Sequence, residues 1–261
     1  MLDMAQILAY YPVGLQDNNV HILREYLQYK ILKSIFRSPR WTKVRFIGGT
    51  ALRIVYGSNR FSEDIDLDND GTLTFAEFHQ LGQHIQKDLE LQWLTVRMRT
   101  IEKWAYHCHI SIPEILYSHQ LSPMKNQTIL IQIDSVAQWY VYTPTIHHLH
   151  KFDIQTDIIT VSAHLLLAQK IYTAFARKRI KGRDFFDIVF LLWRTQQPDY
   201  GYLEQKLGIT TPWQIIKYIQ EKSQWVDFDL LQRDVQPFLF DSTNQSVRNF
   251  SRIIEQIAWA S

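Results

Sequence analysis

The chain has a single cysteine, Cys108, among its 261 residues, and it has little that is typical of exported or membrane proteins. One thiol cannot form an intrachain disulfide, so a disulfide framework is excluded and a reducing compartment is expected. The N-terminal stretch MLDMAQILAYYPVGL has no basic leader and no long apolar core, so it is not typical of a signal peptide. The longest apolar run in the C-terminal half, IVFLLW, is far too short to span a bilayer. We therefore expect a cytoplasmic protein without membrane association.

An excess of charge of either sign is also lacking, because the formal net charge is only +2. Such a small excess does not by itself indicate a nucleic-acid partner. Basic residues cluster in RKRIKGR at residues 177–183 and again at Arg37, Arg40, Lys43 and Arg45, but solvated surface charge explains either cluster. With 46% hydrophobic and 21% charged residues, the composition is that of an ordinary globular protein with a sizeable core.

Hydrophobic periodicity predicts a mixed α/β domain over residues 1–155 and a helical domain over residues 156–261. Strand patterns occur at residues 44–49, 63–68, 91–101, 104–112 and 128–136. Helical patterns occur at residues 18–36, 50–57, 73–91, 161–178, 183–196, 211–223 and 246–260.

The stretch RFSEDIDLDNDGTLTFAEF, residues 60–78, fits two incompatible templates. Counted from Asp66, it is D-x-D-x-D-G with Glu77 in the twelfth place, which is the spacing of an EF-hand calcium loop. An EF-hand requires a helix that runs directly into its first Asp, and the preceding YGSNRFSEDI favours a strand instead. Thr74 and Glu77 also have the spacing of a helix capping box. Calcium binding by residues 66–77 is therefore kept as an alternative.

The second template is a strand that presents two carboxylates on one face. Residues two apart in a strand share a face, so Asp64 and Asp66 point together while Ile65 points toward the core. Two such carboxylates repel each other unless a cation lies between them, and Mg²⁺ prefers oxygen ligands of this kind. Asp134 in the strand ILIQIDSV is a candidate third metal ligand if its strand is a neighbour. An exposed polar strand face explains the first two aspartates equally well.

A glycine pair precedes this strand. Gly48 and Gly49 follow the apolar strand VRFI, and Thr50 is expected to open a helix. Glycine backbone can approach a phosphate closely, and free amides at a helix start bind anions. A tight strand-to-helix turn is the alternative, but G-G-T followed by D-x-D in the next strand favours a nucleotide site.

These motifs resemble a known family. GGTALRIVYGSNRFSEDIDL resembles the AbiEii/AbiGii nucleotidyltransferase toxin family, which lies within the polymerase-β-like nucleotidyltransferases. ILIQID resembles the family's later acidic strand, and QKIYTAFARKRIKGRDFFDIVFLL resembles its helical motifs. The resemblance implies an α+β fold, in which a polymerase-β-like domain with a mixed sheet flanked by helices is followed by a C-terminal helical bundle.

The resemblance also implies roles for particular residues. Gly49 and Thr50 fall on the motif for nucleotide phosphates, and Asp64 and Asp66 fall on the metal-binding, catalytic D-x-D. We expect Gly48 to hold the triphosphate together with Gly49 and Thr50.

Further implied roles fall in the helical half. Lys170 falls on the motif that contacts the triphosphate, and we expect it to turn toward the two aspartates. Arg183, Asp184 and Asp187 fall on the motif with the family's essential acid, for which we favour Asp184. For Lys170 the alternative is a solvated helix face. For Asp184 and Asp187 it is a favourable interaction with the helix dipole.

The implied activity is transfer of a nucleotide from an NTP, with Mg²⁺ or Mn²⁺, to an acceptor that we expect to be RNA, including tRNA. The implied context is a bacterial toxin with a cognate antitoxin encoded nearby. A calcium-binding protein and a catalytically inactive nucleotide-binding protein are the alternatives.

Overall fold

The structure, a computed structural model, describes residues 1–257 and divides into two compact units. The first unit comprises Met1–Ala51 and Phe61–Thr160, and the second comprises Leu52–Arg60 and the chain from Val161 onward. The helix expected at residues 246–260 is found at Phe250–Gln256, and the last three residues of that prediction lie outside the described residues.

A mixed seven-stranded sheet forms the first unit. Its strands are β1 Val44–Ile47, β2 Ile65–Asn69, β3 Arg97–Glu102, β4 Tyr106–Pro113, β5 Thr128–Val136, β6 Thr145–Lys151 and β7 Ile154–Thr160. The spatial order is β3-β4-β5-β2-β1-β7-β6, with β2 parallel to β5 and β1 parallel to β7. The predicted α+β class is confirmed, and the two strands that carry the candidate carboxylates are neighbours at the centre of the sheet.

Helices flank this sheet. They are α1 Met4–Leu8, α2 Asn19–Arg37, α3 Gly48–Ile54, α4 Phe75–Glu90 and α5 Ile115–Ser118, and the last residues of α3 belong to the second unit. Helix α2 packs against β7 and α4, and its buried positions surround most of its circumference.

Alternation sets the faces of the strands: Ile129, Ile131 and Ile133 of β5 are buried, whereas Leu130 between them is 45% exposed.

The hairpin of β6 and β7 has no counterpart among the strand patterns of the sequence. β6 is an edge strand in which only Leu149 is buried, so TIHHLHK shows little hydrophobic alternation. β7 lies inside the sheet beside β1, and Ile154, Ile158 and Thr160 are buried. The helical pattern begins only at Ala163, after this strand has ended.

Helices make up the second unit over its described residues beyond Val161. They are α6 Ala163–Ala176, α7 Gly182–Thr195, α8 Tyr200–Leu207, α9 Pro212–Ser223, α10 Phe228–Val235 and α11 Phe250–Gln256. Phe185 of α7 is fully buried and meets the rings of Phe175, Phe228 and Phe250 edge-on, at centroid distances of 4.9–5.4 Å. Gly182 permits this packing, because a Cβ there would lie 2.0 Å from the carbonyl oxygen of Leu231. Among residues 1–257, no helix is both long enough and apolar enough to cross a membrane.

Candidate active site

Two aspartates meet at the centre of the sheet. Asp66 in β2 lies directly opposite Asp134 in the parallel strand β5, and opposite Ile47 in the antiparallel strand β1. Asp64 is exposed and comes one residue before β2 begins, whereas Asp66 is half-buried. Asp134 was a candidate metal ligand on the condition that its strand lies beside the strand of Asp66, and β5 does pair with β2.

The start of α3 is fitted to one of these carboxylates. Gly48 has φ +78°, and a Cβ at this position would lie 2.0 Å from Oδ2 of Asp66. Any other residue would therefore both strain the backbone and displace the carboxylate. Gly48 and Gly49 are the first residues of α3, so the expectation that Thr50 opens the helix is wrong by two residues. The backbone of Gly48 and the carboxylate of Asp66 thus lie directly against each other.

Thr50 is fully buried, and its hydroxyl donates a hydrogen bond to the backbone carbonyl of Asp64. This bond fixes the entry of the chain into β2, and with it the place from which the Asp64 side chain starts. The family resemblance places Thr50 among the residues for nucleotide phosphates. The structure shows it positioning the D-x-D backbone.

His107 is a residue of this site that sequence reasoning did not include. It lies opposite Asp134 in the antiparallel pair of β4 and β5, and its Nδ1 is 2.7 Å from Oδ1 of Asp134. Gln132 donates to the same carboxylate at 2.8 and 2.9 Å, and the ring of Trp104 meets the imidazole edge-on. Only the register of two strands reveals this contact, so no motif could have indicated it. Asp134 is accordingly held in one orientation beside Asp66.

The donor set is suited to a magnesium ion that arrives with a nucleotide. Within residues 1–257 no group of three Asp, Glu, His or Cys side chains is arranged to hold a metal without help. Mg²⁺ is typically bound by one or two carboxylates together with substrate phosphates, so Asp64 and Asp66 are sufficient in number and chemistry. The set therefore fits a metal shared with substrate.

The calcium template disagrees with this geometry. Asp66, its first ligand, is an inner residue of β2 with strand partners on both sides. Glu77, its last ligand, forms the predicted capping box with Thr74 and accepts two hydrogen bonds of 2.9 Å from Lys43. These bonds, led by those from Lys43, lower the pKa of Glu77 to about 2. The first residue of the supposed loop, Asp66, therefore belongs to the sheet, and the last, Glu77, belongs to a helix cap.

The second unit contains a buried cluster of charges. Lys170 of α6 lies 2.9 Å from Oδ1 of Asp184 and 2.8 Å from Oδ2 of Asp187, both on α7. Arg60 binds Asp187 through two parallel hydrogen bonds of 2.7 and 2.6 Å. All four side chains are at least nine-tenths buried, and Asp187 is completely buried.

Charge balance decides the ionisation of this cluster. Burial alone would lower the pKa of Lys170, but Asp184 and Asp187 outweigh it, so the pKa is raised above its ordinary value. Burial would likewise raise the pKa of Asp184, but Lys170 and then Arg177 hold it below its ordinary value. The lysine thus remains an ammonium and this aspartate a carboxylate. Arg60 was missed by sequence reasoning because it lies 127 residues from its partner.

The fold of the chain is that of a nucleotidyltransferase, as comparison with solved structures shows. A crystal structure of a candidate nucleotidyltransferase from H. pylori matches with a TM-score of 0.58 and 14% identity, covering 91% of this chain and 94% of that one. An antigenic nucleotidyltransferase-like protein from Paracoccidioides brasiliensis gives a TM-score of 0.46 at 15% identity, covering 76% and 88% of the two chains. No match was found among curated protein sequences.

The chain belongs to the AbiEii nucleotidyl transferase toxin family of type IV toxin–antitoxin systems, whose family model matches residues 30–206. The resemblance inferred from the sequence motifs is confirmed, and so is the nucleotidyltransferase fold that it implied.

Proposed function

We propose that this protein transfers a nucleotide from an NTP to a hydroxyl group of an RNA acceptor, and that it acts as the toxin partner of an antitoxin encoded nearby. One observation carries the proposal. The Asp66 carboxylate lies where a side chain on Gly48 would be, with Asp134 directly opposite. A phosphate-approaching glycine backbone and a pair of carboxylates are thereby brought to one place, as phosphoryl transfer requires.

Each residue of the first unit has a role in this proposal. Asp64 and Asp66 would hold Mg²⁺ or Mn²⁺ together with the substrate phosphates, and Asp134 would complete the acidic face. The bound metal would neutralise the developing negative charge and favour deprotonation of the attacking hydroxyl. Gly48 and Gly49 would offer backbone N–H groups to the triphosphate, with the Asp66 carboxylate lying directly beside Gly48.

The roles of Lys170 and Asp184 are carried over from the family resemblance. Lys170 is proposed to contact the triphosphate; in the structure its ammonium is paired with Asp184 and Asp187. Asp184 accepts from Lys170 at 2.9 Å and is proposed to orient it. Asp187 binds both Lys170 and Arg60, so its role in the proposal is structural.

The test is incorporation of label from each α-³²P-NTP into total cellular RNA, with MgCl₂ present and then chelated. Label that is lost on ribonuclease treatment but kept on protease treatment would identify RNA as the acceptor. Co-expression of the product of the neighbouring gene should restore growth of cells that make this protein if that product is the antitoxin. A folded protein that incorporates no nucleotide under any of these conditions would instead support the catalytically inactive alternative.

A further inference from the structure

A cavity of about 360 Å³ lies in the first unit, beside the D-x-D strand. Its lining includes Arg45, Asp68, Trp139, Tyr140 and Tyr142. Asp68 is two residues beyond Asp66 in β2, so the two side chains share a face of the sheet at a spacing of roughly 7 Å. The cavity therefore adjoins the proposed reaction centre.

Asp68 builds this cavity by anchoring residues 137–142, here termed the aromatic segment. Its carboxylate accepts a 2.9 Å hydrogen bond from the backbone N–H of Gln138 and another from the hydroxyl of Tyr142. Asp68 is only 4% exposed. A buried carboxylate thus holds both ends of an otherwise irregular segment against the strand.

The aromatic segment presents flat rings at the cavity. Trp139 is 75% exposed although its backbone has φ +54°, a conformation that costs energy for a non-glycine residue. Its ring lies against the backbone of Gly71, where a Cβ would be 3.0 Å from the indole. The rings of Tyr140 and Tyr142 are near-parallel, with centroids 6.3 Å apart. Burial does not account for the exposed ring of Trp139, whereas stacking on a flat ligand does.

The position of the cavity along β2 indicates which substrate it faces. Because β1 and β2 are antiparallel, Gly48 lies at the end of β2 near Asp66, while Arg45 lies opposite Asp68 toward the other end. In an in-line displacement the pyrophosphate leaves on one side of the metals and the hydroxyl attacks from the other. With the triphosphate at the glycines, the cavity lies on the side from which the acceptor approaches.

We infer that this cavity binds an unpaired nucleobase of the RNA acceptor, stacked on Trp139 and Tyr140, with the Arg45 guanidinium available for the adjoining phosphate. The inference rests on the proposed function for the orientation of the reaction. The site itself is made of residues outside the D-x-D pair.

The test is binding, without NTP or divalent cation, of fluorescein-labelled RNA hexamers of uridine and of adenosine, measured by fluorescence anisotropy. Trp139→Ala should weaken binding about tenfold or more, the usual loss when one base-stacking ring is removed, and Trp139→Phe should restore most of it. Trp93→Ala is the matched control, because Trp93 is 96% exposed and also has positive φ, but does not line the cavity. A hexamer of abasic nucleotides, which has the same charge, should bind weakly and equally to all variants.

Equal affinity of wild type and Trp139→Ala would overturn the inference, as would abasic RNA that binds as tightly as uridine RNA or a wild type that binds no hexamer. These outcomes are separate from the proposed function. Trp139-dependent hexamer binding without any nucleotide transfer would leave the base site standing and reject the transferase proposal. Nucleotide transfer that depends on Asp66, together with equal hexamer affinity of wild type and Trp139→Ala, would support the transferase proposal and reject the base site.

Discussion

Asp66 and Asp134 are direct partners across the parallel strands β2 and β5, and Asp66 also fills the space left by the missing side chain of Gly48. Three segments distant in the sequence thus converge on one carboxylate. The Asp66 side chain is therefore the residue on which the proposed chemistry most directly depends.

Asp66→Asn should reduce nucleotide incorporation by two or more orders of magnitude and leave the fold intact. Metal-ion stabilisation of the transition state supplies several kcal/mol, and about 1.4 kcal/mol corresponds to a tenfold change in rate. Removing one of two neighbouring negative charges should not lower the melting temperature. Asp64→Asn should behave in the same way.

The matched control is Asp17→Asn, which changes an exposed aspartate that does not line the cavity beside the D-x-D strand. It should keep transfer largely intact. The prediction is contradicted if Asp66→Asn retains wild-type incorporation, or if it loses activity only because it no longer folds.

The local part of this arrangement could be read from the sequence. The alternation around Ile65 predicted the strand that carries Asp66, and the spacing of Thr74 and Glu77 predicted a capping box that the structure contains. Such features depend on residues a few positions apart, for which periodicity and capping preferences are sufficient.

The non-local part could not be predicted in this way. The contact of His107 with Asp134 depends on strand register, and that of Arg60 with Asp187 on tertiary packing across 127 residues. The hairpin of β6 and β7 escaped notice because an edge strand with a single buried residue carries almost no periodic signal.

Asp187→Asn should lower the free energy of unfolding by about 3–5 kcal/mol, because removal of one partner leaves the Arg60 guanidinium buried without its counter-charge. Asp229→Asn provides the comparison, since Asp229 pairs with Arg248 on the surface and is 61% exposed in its side chain. There the change should be about 0–1 kcal/mol. Urea denaturation of both variants measures the difference, and similar losses would show that the buried cluster contributes little.

Gly71→Ala should lower stability and also weaken binding of the RNA hexamers. Gly71 has φ +79°, where alanine costs about 1–2 kcal/mol, and the new methyl group would displace the Trp139 ring. Gly57→Ala carries the same backbone cost at φ +75° but meets nothing within 4 Å. Thermal melts should therefore shift in both variants, whereas hexamer affinity should fall only in the first. A loss of affinity in both would trace the effect to general destabilisation.

Glu77→Gln should destabilise the protein at pH 7, and the difference from wild type should vanish in acid. The pKa of Glu77 is about 2 in the folded protein against an ordinary value of 4.5, chiefly because of its hydrogen bonds from Lys43. A lowered folded pKa contributes stability above pH 4.5 that is lost as the pH falls toward 2. Denaturant midpoints of both proteins between pH 7 and acid measure the gap. Stabilisation of the wild type by calcium that the variant lacks would argue for the calcium template instead, and a gap that persists in acid would contradict the pKa argument.

The pairing of Arg60 with Asp187 has a consequence for biosynthesis. At about 5–20 residues per second, a ribosome that has added Arg60 needs roughly 6–25 s to reach its partner 127 residues later. Until then the segment Leu52–Arg60 has been made, but the helices with which it forms a compact unit have not. The second unit therefore cannot complete its fold from the C-terminal half alone. A fragment that starts at Val161 would bury the carboxylates of Asp184 and Asp187 with Lys170 but without the Arg60 guanidinium, and should be recovered misfolded or degraded.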